Sequence, residues 1–164
     1  MTESIRKAVS SIMGITYLML ILNGQITHPD QIFGEVDAWN LQCLSGAIMC
    51  ENGHGTEKNC LLTGAVVVNR RNSSHWNGET IEEVILAKDG GSIQYANSTR
   101  DKFRTIEASN RVKAIAKYLL IYGTSYVCPS NVMYQGKNKN AGSGLYHKEP
   151  TPNDGTPWEY FCYE

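Results

Sequence analysis

Glu51 sits within "MCENGHGTEKNC", residues 49–60, where an apolar segment gives way to a glycine-rich polar one. Leu41, Leu44 and Ile48 precede it at offsets of 0, 3 and 7, and Glu51 continues the series at offset 10. At about 100° per residue it falls within about 20° of Leu44, so the acid shares the apolar face of a helix at the point where that helix ends. A carboxyl group against an apolar wall has its charged form disfavoured, and its pKa rises toward neutrality. A general acid that protonates a glycosidic oxygen needs this property. The plainer role for an inward-facing glutamate is a structural hydrogen bond or a rim ion pair.

Most glycosidases pair the acid with a second carboxylate that acts as base or nucleophile. Glu57, Asp89 and Asp101 are the candidates in sequence. Lytic transglycosylases manage with one, because the sugar's own 6-hydroxyl attacks the anomeric carbon. The competing chemistry is nucleophilic: Cys50 adjoins Glu51, and His54, His75 and His147 could serve as bases. A buried, inert thiol is the simpler account of Cys50. Gln94, Tyr95, Tyr134 and Gln135 supply rings that can stack on sugar faces and amides that can read hydroxyl or acetamido groups. Rings of this kind also anchor loops.

The elements that must position these groups are mostly helical. The stripe ending at Glu51 predicts a helix over 37–51. Leu62, Ala65, Val66 and Asn69 follow i, i+3, i+4, i+7 and predict a second over 58–71, with the Asn69 amide facing the core. A buried amide needs partners, either loop backbone or Glu51 itself. Thr80-x-x-Glu83 is a capping-box pattern for a short helix over 81–88, stopped at Asp89-Gly90-Gly91. Residues 92–103 read as an irregular loop or short extended piece. Ser109 and Gly123 bracket a further helix over 110–122. Beyond Cys128, "NVMYQ" and "WEYFCYE" read as short strands. The expected class is α+β, mostly helical, with residues 37–164 as one domain carrying a small β or irregular C-terminal part.

Hydrophobic residues make up 41% of the chain, charged residues 19%, and the formal net charge is −1. That balance describes a globular protein without a nucleic-acid footprint, and Arg70-Arg71 and Lys137–Lys139 read as solvated faces. Of five cysteines, Cys50–Cys60 and Cys128–Cys162 can bridge by spacing, whereas Cys43 and Cys50 would lie about 10 Å apart along a helix. A zinc set from Cys43, Cys50, His54 and Cys60 lacks paired spacing, so neither metal nor cofactor is expected. Arg6 and Lys7 precede the apolar run Ala8–Leu22, which reads as an export signal or signal-anchor, or alternatively as a packed helix. Residues 1–36 are therefore expected to form an N-terminal segment and connector, with membrane contact through residues 8–22.

Several stretches occur in a telling order. "LSGAIMCENGHGTEKNCLLTGAVVVNRR" resembles the core of the SleB-type cell-wall hydrolases, with a helix ending in Glu, a glycine-containing loop and a helix ending in Asn-Arg. Asn69 follows Glu51 by eighteen residues, the separation that the family pattern requires. "TIEEVI", "SIQYA" and "RVKAIAKYLLIYG" are similar to the family's downstream short helix, Gln-aromatic motif and late helix. "SNVMYQG", "GSGLYH" and "EYFCYE" are similar to its closing strand region. The likeness covers residues 41–164. It implies a lysozyme-like fold and cleavage of the MurNAc–GlcNAc linkage of peptidoglycan outside the cytoplasm or during phage lysis. It also implies a single acid at Glu51 and a groove near Gln94, Tyr95 and Tyr134. Asn69 and Gln94 would position substrate or Glu51. The chain departs from the pattern at Gly55, where the family has a second acid and Glu57 is the nearest substitute, and at "DGTPWEYF", which replaces a Gly-Asn-His. The chemistry expected is lytic transglycosylation. A hydrolytic muramidase, a non-catalytic glycan-binding or virion protein of the same fold, and a thiol amidase are the alternatives.

Overall fold

Among the described residues, side-chain caps start four α-helices. Asp37, Thr56, Thr80 and Ser109 each accept a hydrogen bond from the backbone N–H three residues on, and the Glu83 carboxylate in turn accepts from the backbone N–H of Thr80. The computed structural model describes residues 2–76, 78–89, 92–151 and 158–164. The helices are α1 (Glu3–Leu22), α2 (Ala38–Asn52), α3 (Glu57–Asn72), α4 (Ile81–Leu86), α5 (Asn97–Lys102) and α6 (Asn110–Tyr122), with a 3₁₀ turn at Pro29–Gln31. The strands are β1 (Lys88–Asp89), β2 (Ser92–Ile93), β3 (Val132–Gly136), β4 (Gly144–Pro150) and β5 (Trp158–Tyr163).

Helices α2, α3 and α6 pack against one another, and α3 is the central one: every residue from Asn59 to Arg70 is buried. A helix covered on all sides is a core helix, so its apolar stripe understates how much of it is enclosed. Strands β3, β5 and β4 form an antiparallel sheet in that spatial order, leaning on α3 through β3. Strands β1 and β2 pair antiparallel as a two-stranded sheet. The class is α+β, with helix predominating.

Gly46, midway along α2, sets the geometry that matters most for the site. A Cβ built there would lie 1.9 Å from the backbone carbonyl oxygen of Phe103, just after α5. Only glycine lets α5 approach this closely, and the approach brings Thr99 of α5 within reach of Glu51 near the end of α2.

Helix α1 packs by one side on α6. Gly14 lies against Tyr122 and Tyr126, the rings of Tyr17 and Tyr122 are 5.6 Å apart, and Ile21, Ile26 and Ile32 join the core.

The structure corrects several expectations. The stretch 92–103, read as an irregular loop or short extended piece, opens on strand β2 but also contains α5, whose sequence NSTRDK carries no apolar period. Helix α4 ends at Leu86, not residue 88. Its expected Gly90-Gly91 stop lies outside the described residues, as do the side chain of Asp89 and residues 152–157, which include the first half of the replaced C-terminal motif. Both cysteine pairings fail, for all five thiols are free. Arg70 is not a solvated charge but is 3% exposed.

Candidate active site

Glu51 lies in the last turn of α2, partly buried, beyond the fully buried Leu44 and Ile48 of the same face. Burial pushes its pKa up. A hydrogen bond from Thr99 and the positive charge of Arg70 act in the opposite direction without reversing it. The Thr99 hydroxyl donates to Glu51 Oε1 at 2.6 Å. With Oε1 engaged as an acceptor, Oε2 is the oxygen left to carry the proton.

The carboxyl lines a cavity of about 280 Å³ that Gln94, Tyr95, Gln135 and Glu159 also line. Two residues lining this cavity hold buried polar atoms: the hydroxyl of Tyr95, a residue 3% exposed and beside Arg70, and Oε1 of Gln135, which has no hydrogen-bond partner among the described residues. Buried groups of this kind ordinarily find a hydrogen bond, and the Gln135 oxygen is an exception among the residues of this cavity. Sequence reasoning thus named four residues that the fold brings together: Glu51, Gln94, Tyr95 and Gln135.

Tyr134 lines an adjoining cavity of about 160 Å³ with His75, Trp76 and Glu164, and Gln94 is common to both. Beneath this second cavity lies Arg70. Its guanidinium carbon is 4.3 Å from the ring centroid of Trp76, 5.4 Å from Tyr95 and 5.9 Å from Tyr134, and its Nε donates to the Met133 carbonyl at 2.7 Å. Three rings around one cation build a shared support for both cavities, with cation–π attraction holding the aromatic walls.

Asn69 does something other than line the cavity of Glu51. Its Nδ2 donates to the carbonyls of Pro129 and Val132, each at 3.0 Å, and its Oδ1 accepts from Thr124 at 2.6 Å. Of the two partners open to it in sequence, loop backbone or Glu51, it takes loop backbone. That pins the segment entering β3, the strand that carries Tyr134 and Gln135, so the amide positions the site indirectly.

The loop after Glu51 is braced by α6. Arg111 donates to the carbonyls of Gly53 at 2.8 Å and Gly55 at 3.2 Å, and pairs with Glu57 at 3.2 Å. Glu57 is therefore a loop brace. Asp101 is exposed on α5. The carboxylate that shares the cavity with Glu51 is Glu159 on β5, which is 7% exposed and which sequence reasoning missed. Thr99, Arg70 and Trp76 were missed as well. Asn52 bonds Thr63 and Asn59 beneath the loop, at 2.8 and 3.3 Å.

The thiol alternative loses support on electrostatic grounds. Burial and the adjacent Glu51 both raise the Cys50 pKa, so the thiolate that a nucleophile needs is suppressed. His54 is exposed. Among the described residues no group of three or more His, Cys, Asp or Glu side chains is placed to hold a metal ion. No protein-family model, curated protein or solved structure matches the chain.

Proposed function

We propose that the protein cleaves the glycan strands of peptidoglycan, as a lytic transglycosylase with Glu51 as its general acid and then its general base. The observation that carries this reading is a carboxyl whose pKa burial raises, oriented through one oxygen by Thr99, in a residue that lines a cavity together with Gln94, Tyr95 and Gln135. Glu51 gives its proton to the bridging oxygen as the glycosidic bond breaks. The resulting oxocarbenium-like sugar is captured by its own 6-hydroxyl, whose proton returns to Glu51, leaving a 1,6-anhydro end. The adjoining cavity with Trp76 and Tyr134 offers aromatic faces for a neighbouring sugar unit. The likeness of residues 41–164 to SleB-type hydrolases supports the same reading, together with a lysozyme-like fold and action outside the cytoplasm or in phage lysis.

A second reading rests on Glu159. A second carboxylate on the same cavity is what a hydrolytic muramidase requires, with water in place of the 6-hydroxyl. Mass spectrometry of the products separates the two, since anhydro ends are lighter by one water. Clearing of cell-wall suspensions by wild type, Glu51→Gln and Cys50→Ala tests the whole proposal. Loss in Glu51→Gln alone supports it. Loss in Cys50→Ala alone would instead favour a thiol amidase. Equal wall binding by wild type and Glu51→Gln, with no clearing by either, would point to a glycan-binding protein.

A further inference from the structure

Helix α1 is long and apolar enough to cross a bilayer, yet it is built into the fold by one side. At about 100° per residue, Ile5, Val9, Ile12, Ile15 and Met19 fall within one arc of about 120°. All five are exposed, Ile12 at 66% and Met19 at 55%. Glu3, Ser10, Gly14, Tyr17 and Ile21 fall on the opposite side, the side by which Gly14, Tyr17 and Ile21 pack on the domain. The outward face is therefore the apolar one, the reverse of an ordinary surface helix.

We propose that α1 lies in the plane of a lipid bilayer surface, with its outward face in the headgroup–acyl boundary and the domain resting on its other side. Two features fit lipid as the occupant. No Asp, Glu, Lys or Arg occurs between Lys7 and Asp30, so the face has no charge to desolvate. Thr16, the polar side chain within the apolar arc, donates its hydroxyl to the Ile12 carbonyl at 2.9 Å, satisfying itself inside the helix as an apolar medium demands. Arg6 and Lys7, both exposed, lie away from the apolar arc, and Lys7 pairs with Glu3 at 2.7 Å, so neither charge falls on the face that meets lipid.

A spanning orientation would pull the buried Ile21 out of the core and break the bond from the Phe33 amide to the Tyr17 hydroxyl. An in-plane helix keeps both. Phe33 is tied to α1 by that bond and is itself 78% exposed. This placement stands independently of the glycan chemistry.

The test is co-sedimentation of the full chain with vesicles of equal parts phosphatidylcholine and phosphatidylglycerol. Wild type sediments with them, and the double substitution Val9→Asp, Ile12→Asp lowers the bound fraction about tenfold while leaving the melting temperature unchanged, since both side chains are already exposed. Ile12→Trp fluorescence, with the wild-type signal subtracted, is quenched more by lipids brominated near the headgroup than by lipids brominated at the chain ends. Stronger quenching from the chain ends would mean a spanning helix and overturn the proposal. A lipid-free dimer that the double substitution abolishes, with no vesicle binding by wild type, would assign the face to a second copy of the chain and also overturn it.

Discussion

The hydroxyl of Thr99 donates to Oε1 of Glu51 at 2.6 Å, joining α5 to the end of α2 across 48 residues of sequence. The bond fixes which carboxyl oxygen is free, and it favours the ionised form against the burial that disfavours it. Thr99→Val removes the donor while keeping the shape. The Glu51 pKa then rises further, so the descending limb of kcat/KM against pH moves to higher pH. With the oxygen no longer oriented, kcat falls about tenfold or more, because proton transfer depends on position. A pH–rate profile of wild type and variant measures both effects.

Arg70 bears on the same carboxyl from the other side. Its charge also holds the Glu51 pKa down, and its guanidinium lies between the rings of Trp76, Tyr95 and Tyr134. Arg70→Met keeps most of the stem and deletes the charge. The descending limb again moves up in pH, now accompanied by a changed Trp76 emission as the ring loses its cation. Thr99→Val leaves that emission alone, which separates the two variants.

Arg111 braces the loop at Gly53 and Gly55. Arg111→Met leaves both carbonyls without their charged donor and costs about 2 kcal/mol of stability, in the range for hydrogen bonds to charged groups. Denaturant unfolding gives the loss. Limited proteolysis is expected to gain a cut at residues 53–56, since the loop then opens locally more often than the core.

Gly46→Ala is expected to fail more severely. The added methyl would meet a backbone oxygen at 1.9 Å, and no side-chain rotation relieves that contact. Either the chain misfolds, or α5 shifts away and carries Thr99 out of reach of Glu51. A variant that folded with wild-type melting temperature and activity would show that the close approach of α5 is not needed.

Much of this arrangement could be read from the chain, because the helices announce themselves locally. The stripe Leu44, Ile48, Glu51 and the caps at Thr80 and Ser109 require only neighbours in sequence. Of the four site residues missed, three were hidden for different physical reasons. Thr99 sits in α5, a polar six-residue helix with no side-chain cap, which takes its shape from packing against α2 and not from propensity. Glu159 lies on β5, and which face a strand residue presents depends on pairing with β3 and β4, whose registers slip at Val132/Tyr134 and Leu145/His147. Strand β4 has mostly exposed and intermediate positions and no clean alternation to reveal it. Arg70 looked like half of a surface pair with Arg71 because a buried guanidinium needs rings and carbonyls that come from distant segments.

Protonation of Glu51 also links catalysis to stability. Its folded-state pKa is raised, so between the unfolded and folded values the native state holds a proton that the unfolded chain has released. Stability therefore falls as pH rises through that window, and the loss is complete above the folded pKa. Glu51→Gln never ionises and still offers Thr99 an acceptor. Its melting temperature relative to wild type is expected to be higher above that window than below it, which thermal unfolding at several pH values would reveal.

The most direct measurement is product analysis of purified peptidoglycan treated with wild type and with Glu51→Gln. Wild type should release glycan fragments ending in 1,6-anhydro sugars, and the variant should release them at a rate lower by about 10²–10⁴, the span of a general acid–base contribution. Fragment release by a folded Glu51→Gln protein at the wild-type rate would contradict the account, because the proton would then come from somewhere else.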